Sequence, residues 1–227
     1  DLKGNPNNQS LYDLAASYTV LANIMNQLER TDEAIAVLCK EIILREQLVK
    51  DYPDVTEYAN QLGMTQRNIG LAHVKLGQTS HAVEYYNKVT ARMEQLVKEE
   101  PENPVHAFAL AYSYTELGDV FETIGQTEES RGLYQKAIKI GEQLTATYSN
   151  EPKYAVNLAT DYYNYGLLLQ TSESLDVAFK FYEKSIAIEE QLVNRYPAIS
   201  DYAVNLEVSY RTIAAELYLS GDQTRTL

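Results

Sequence analysis

The sequence predicts an all-α fold, a solenoid of tandem antiparallel helical hairpins. Three observations predict it: a strict internal repeat, apolar residues at helical spacing within each repeat, and glycine or proline where a helix must stop. The tetrad Glu-Gln-Leu-Val begins at residues 46, 94 and 190, with Glu142-Gln143-Leu144 between, a constant step of 48 residues. Leu14, Leu62, Leu110, Leu158 and Leu206 keep the same register, as do Pro53, Pro101 and Pro197. Such units have little core alone and bury their apolar stripes against their neighbours.

The elements follow in order. The register gives hairpins over 7–54, 55–102, 103–150 and 151–198, then a capping helix over 199–220, all within a single repeat domain, 1–227. In the second hairpin Tyr58, Leu62, Ile69, His73 and Leu76 fall at helical spacing, and Ala82, Tyr86, Val89, Met93 and Leu96 form a second stripe after Gly77. Each helix of about 20 residues spans about 30 Å. Thr31, Thr79 and Thr127 share one column and are expected N-caps; Thr31 and Thr127 precede acids that suit a helix N-terminus. Tyr52-Pro53-Asp54, Pro101-Glu102-Asn103-Pro104, Glu151-Pro152 and Tyr196-Pro197 separate the hairpins, because proline cannot continue a helix interior. In the first helices one column holds Ala22, Gly70, Gly118, Gly166 and Ala214. Glycine inside a helix costs about 1 kcal/mol relative to alanine, so its recurrence predicts a place where two helix backbones meet closely.

Composition narrows function. With 32 acidic and 19 basic residues the formal charge is −13, which repels phosphate backbones and anionic lipids. Neither nucleic acid nor a membrane is an expected partner. A lone cysteine, Cys39, rules out an internal disulfide, and a reducing, cytoplasmic setting is expected. Asp1 to Pro6 lack the regions of a signal peptide and read as the tail of an inter-repeat loop, so a longer parent protein is expected.

Around the small-residue column, Tyr114-Thr115-Glu116-Leu117-Gly118-Asp119-Val120-Phe121 resembles the tetratricopeptide pattern of an aromatic, then Leu-Gly, then another large side chain. The pairs Ala34/Leu38, Ala82/Tyr86 and Ala178/Tyr182 match the family's small-then-large spacing in the second helix. Two features depart from it: the tryptophan column reads Tyr18, Gln66, Tyr114, Tyr162 and Tyr210, and the unit is 48 residues rather than about 34. The long unit is similar to extended tetratricopeptide-like repeats found in sensor and scaffold arms of bacterial and archaeal signalling proteins. The resemblance implies a right-handed superhelix whose concave groove, lined by first helices, binds a protein or peptide.

Comparing the units with one another separates packing from variable positions. Leu21, Ile69, Leu117, Tyr165 and Ile213 stay apolar and are expected core. Four first-helix columns at i, i+3, i+7 and i+10 vary freely: Ala16/Met64/Tyr112/Thr160/Val208, Thr19/Arg67/Thr115/Tyr163/Arg211, Asn23/Leu71/Asp119/Leu167/Ala215 and Asn26/Val74/Glu122/Gln170/Tyr218. By the resemblance they line the groove. Tyr112, Tyr163 and Tyr218 offer flat contact area, Arg67 and Arg211 bind carboxylates, Asp119 and Glu122 receive a basic side chain, and Asn23 adds a polar contact. A partner of basic character fits the net charge. The other carboxylates read as solvated faces. The three histidines and Cys39 form no catalytic or metal-binding constellation, and no phosphate loop or nucleophile elbow occurs; no enzyme activity, metal or cofactor is expected. The alternative is a regulatory or self-associating arm, in contact with another domain of a longer parent or with a second copy through apolar residues such as Leu11, Leu14 and Leu21.

Overall fold

A computed structural model describes residues 6–220, and every regular element among them is an α-helix. The residues before Pro6, read above as the tail of a loop, lie outside this range. In chain order the helices are α1 (Pro6–Gln27), α2 (Thr31–Asp51), α3 (Thr56–Lys75), α4 (Thr79–Glu99), α5 (Pro104–Thr123), α6 (Thr127–Thr147), α7 (Pro152–Ser172), α8 (Leu175–Arg195) and α9 (Ser200–Ser220). The chain forms two compact units. Asp1–Leu96 holds α1 to α3 and most of α4, and Val97–Leu227 holds the end of α4 and α5 to α9. In the first unit α1 packs on α2 and α2 on α3. In the second, the helices from α5 to α9 each pack on the next, and α5 also touches α7.

The turns inside hairpins follow from glycine. Gly77 and Gly125 adopt left-handed φ values of 70° and 75°. Their amides reach Val74 and Glu122, each at 2.9 Å, while the amides of Gln78 and Gln126 reach back to His73 at 2.8 Å and Phe121 at 2.9 Å. This paired closure satisfies carbonyls that the helix end would leave unbonded. Glu29 holds the same place after α1 with φ 60°, and Arg30 donates to Met25 at 2.9 Å. A side chain in that conformation costs roughly 1–2 kcal/mol. The closure also displaces the expected caps. The N-caps of α2 and α6 are Arg30 and Gln126, neither with a side-chain cap bond, and Thr31, Thr79 and Thr127 are the first helical residues instead. One residue both closes the first helix and opens the second, which leaves the threonine one position too late to cap. Between hairpins, Asn103 does cap α5, accepting from the Val105 amide at 3.0 Å, and Pro104 and Pro152 begin α5 and α7.

The small-residue column proves to be a seat for a side chain, which corrects the expectation of backbone against backbone. A Cβ built on Gly70, Gly118 or Gly166 would lie 3.0, 3.4 or 2.5 Å from the ring of Tyr86, Tyr134 or Tyr182 respectively. These rings come from the second helix of the same hairpin and are almost fully buried. In the first hairpin the pair is Ala22 and Leu38, both buried in one cluster, so a larger residue in the first helix meets a smaller one in the second. Ile69, Leu117, Tyr165 and Ile213 are core residues as expected. Leu21 is not: it is 39% exposed, on a side of α1 that no described helix covers.

The unequal distances set a test. Gly166→Ala is expected to lower the unfolding free energy by about 1–3 kcal/mol through overpacking, whereas in Gly118→Ala a helix-propensity gain of about 1 kcal/mol offsets the milder contact. Tyr182→Leu should cost less in the Gly166→Ala background than alone, as the Ala22–Leu38 pair implies. Urea unfolding of the original chain and the four variants measures both effects; equal losses from the two glycine substitutions, with additive costs at Tyr182, would sink this account.

Candidate functional site

Side chains between consecutive hairpins bury carboxylates that the sequence reading placed in solvent. Between α1 and α3, the Glu41 Oε1 of α2 accepts from Thr19 at 2.7 Å, Thr65 at 2.8 Å and the Arg45 Nε at 3.3 Å. Glu41 and Arg45 are each 2% exposed or less, and the Arg45 guanidinium lies 5.2 Å from the Tyr12 ring centre. Between α5 and α7, Asp161 accepts from Thr115 at 2.6 Å and from Asn157 at 2.9 Å. Between α8 and α9, Glu189 accepts from Ser209 at 3.0 Å. Thr65, Asp161 and Ser209 stand at one repeat position, Arg45 and Glu189 at another. The acid thus comes from the second helix at two junctions and from the following first helix at the third. There Ala137 and Gly141 replace Glu41 and Arg45, and the space they leave suits an acid from α7.

The predicted groove residues divide by setting. In the first unit Asn23 of α1 is exposed and Arg67 of α3 half-buried, with Thr19 of the same column turned to Glu41. In the second unit Tyr112 of α5 is 40% exposed, Arg211 of α9 is exposed 4.0 Å from Glu207, and Tyr218 is 77% exposed. Asp119 and Glu122 are half-buried, and the Tyr134 hydroxyl donates to both, at 2.5 and 3.1 Å. Asn164 of α7 donates to Asp119 at 3.3 Å. Tyr163, half-buried against the Tyr182 ring, lines an open cavity of about 200 Å³ between α7, α8 and α9. Thr160 and Val208, from the same variable columns, line it too, with Glu189, Leu192 and Asn205. The structure therefore brings Tyr163, Thr160 and Val208 to one concavity, and ties Asp119 and Glu122 into the hairpin through Tyr134. Among the described residues no group of three or more His, Cys, Asp or Glu side chains is arranged to hold a metal ion. His73 stacks on His81 and Tyr85, and Cys39 is exposed.

Burial dominates the acid–base behaviour of these junctions. Loss of water raises Asp161 to about 7 and Asp119 to about 6, against the pull of their Thr115 and Tyr134 hydrogen bonds, and each carboxylate has another acid nearby. Glu189 is raised by the same cause, and Tyr134 is raised because its hydroxyl is buried against Asp119 and Glu122. An acid raised in the folded chain binds its proton more tightly there than in the unfolded chain. Its contribution is therefore fully present below the unfolded value of about 4 and lost as pH rises through 6 to 7. The melting temperature should fall between pH 5 and pH 8, and Asp161→Asn should remove much of that slope while keeping the Thr115 hydrogen bond. A slope in the substituted chain as steep as the original would show that Asp161 does not carry it.

Among the described residues no helix is long and apolar enough to cross a membrane. No curated protein is significantly similar in sequence. The tetratricopeptide repeat family model matches residues 68–92, 111–143 and 162–192, and each match spans parts of two consecutive helices. The apo form of RapI aligns over 92% of this chain and 72% of its own, with 13% identity and a TM-score of 0.60. A putative kinesin light chain from Podosopora anserina, with nearly identical TPR-like repeats, aligns over 88% of this chain and 95% of its own, with 20% identity and a TM-score of 0.52. At these identities the likeness is one of fold. Repeats matched at three places and a hairpin built on a buried glycine–tyrosine contact make this chain a tetratricopeptide-like repeat protein.

Proposed function

We propose that the chain binds an extended or helical segment of a protein partner along its variable first-helix face, as the interaction module of a larger sensor or scaffold protein. Tetratricopeptide-like repeats are in general a protein-interaction fold, and the cavity beside Tyr163 is the observation that carries the reading to particular residues. It is a concavity lined by residues from two of the columns that vary between otherwise uniform repeats, with Leu192 and Val208 as apolar wall and Asn205, Thr160 and Glu189 as polar groups. A flat aromatic beside a partly apolar recess is the arrangement that seats a partner side chain. Glu189 is the one charged residue lining the recess, which favours a basic or neutral segment. Tyr112, Arg67, Arg211, Asn23 and Tyr218 extend the reading along the first helices of each unit.

Selection from a displayed library of random dodecapeptides, with the purified chain as bait, tests it. Selected peptides are expected to be net basic and to lose about tenfold or more in affinity for Tyr163→Ala, a loss typical of an aromatic anchor. Peptides that bind Tyr163→Ala and the original chain equally would place recognition elsewhere.

A further inference from the structure

The recess beside Tyr163 contains an acid that the chain does not balance. Glu189 of α8 lines it, and its Oε1 accepts from Ser209 of α9 at 3.0 Å. Its Oε2 is shut from water and has no hydrogen-bond partner among the described residues. Burial raises the pKa of this carboxyl, and no basic side chain among the described residues pairs with it to oppose the rise. The first unit treats the same repeat position differently. Arg45 stands there, and its guanidinium donates to Glu41 one turn earlier in α2, so that junction carries its own cation. In α8 the place of Glu41 is taken by Ser185, whose hydroxyl donates to the Ala159 carbonyl at 2.8 Å. The acid of this junction thus occupies the cation's place, and no cation accompanies it.

We propose that the recess takes a primary alkylammonium, the side chain of a lysine in the bound segment, with Glu189 as its counter-charge. The proposal rests on the reading of the Tyr163 face as the recognition surface and names the residue which that surface selects. The lysine methylenes lie along Leu192, Val208 and the Tyr163 ring, and the ammonium meets the Glu189 carboxylate. The last torsion of a glutamate side chain is soft, so a small roll turns Oε2 toward the recess while the Ser209 hydroxyl follows. Thr160 and Asn205, also on the wall, supply oxygen acceptors for the other N–H groups. Arginine fits less well, because its planar fork is matched by two free acceptor oxygens side by side and Ser209 already takes one. A neutral side chain of the same length leaves the carboxylate buried and unpaired. The net charge of −13 draws any cation toward the chain, so discrimination between lysine and arginine is what marks the recess itself.

Pools of immobilised, end-capped peptides test it, each with a fixed central residue and flanks randomised without other basic residues. The central residue is lysine, arginine, norleucine or Nε-acetyl-lysine, and the probe is the fluorescently labelled full chain. The lysine pool is expected to retain the chain about tenfold or more above the other three, the range of a charged hydrogen bond. Glu189→Gln keeps the side chain's size and an acceptor for Ser209, and it should bring the lysine pool down to the norleucine level with the melting curve preserved. Thr160→Phe, which fills the recess from an exposed position, should do the same and serves if the glutamine variant folds poorly. A lysine preference that survives both substitutions overturns the proposal, as does equal retention by arginine. Pools retained alike, and all weakened by Tyr163→Ala, overturn the lysine assignment and leave the groove reading standing; retention by no pool overturns both. Cadaverine, a free alkylammonium, should displace the chain only at about tenfold or more the concentration of a soluble lysine-centred pool, since it lacks the flanking contacts. Displacement at equal concentration would make a free amine the ligand and overturn the assignment to a peptide.

Discussion

A tyrosine ring lying on a glycine is the contact on which three of the four hairpins depend. Glycine costs helix stability at Gly70, Gly118 and Gly166, and that cost is offset by burying a whole aromatic ring between two helices. The ring then carries its hydroxyl past the glycine to polar side chains of the first helix. Tyr134 meets Asp119 and Glu122 there, and Tyr182 meets Gln170 at 2.7 Å. Both acceptor columns belong to the variable face. The packing of the third and fourth hairpins is thus coupled to the polarity of the surface proposed for recognition, and a substitution at Asp119 or Glu122 alters the inside of the hairpin as well as its face.

The helices, their order and their turns were legible because each rests on residues that recur in register. Gly77 and Gly125 mark left-handed closures, and Pro104 and Pro152 mark starts, by stereochemistry that needs no tertiary context. The glycine column was legible as a close approach, but the identity of the neighbour was not, since the tyrosine column is spaced from it by a turn and half a helix. The threonine caps were misplaced by one residue because two closures share Arg30, Gln78 or Gln126, an economy that column-by-column reading treats as two separate events.

The junction carboxylates escaped for a different reason. Glu41, Asp161 and Glu189 occupy three separate repeat positions, so no column announces them. Each fills a similar space from a different helix, and only the structure shows that Ala137 and Gly141 are small where Glu41 and Arg45 are large. One cue was present: Thr19 and Thr115 share a column with Arg67, Tyr163 and Arg211, and hydroxyls two repeats apart suggest a shared acceptor. That column was read as groove, whereas its threonines point between helices and its larger members toward the surface or the cavity at α7 to α9.

The varied origin of those acids gives the repeats an order. If α7 were to settle behind α2 in place of α3, Asp161 would face Glu41, and two carboxylates would compete for the hydroxyl of Thr19 in a site with little water. If α9 were to settle behind α6, Ser209 would face Ala137 and Gly141, with no acid to receive its hydroxyl and a void beside it. Hairpins that share one length and one apolar register invite such exchanges during folding. The acids thus act as keys at particular joints: α7 behind α2 or α9 behind α6 leaves a charge or a hydroxyl stranded, where the native neighbour completes a hydrogen bond.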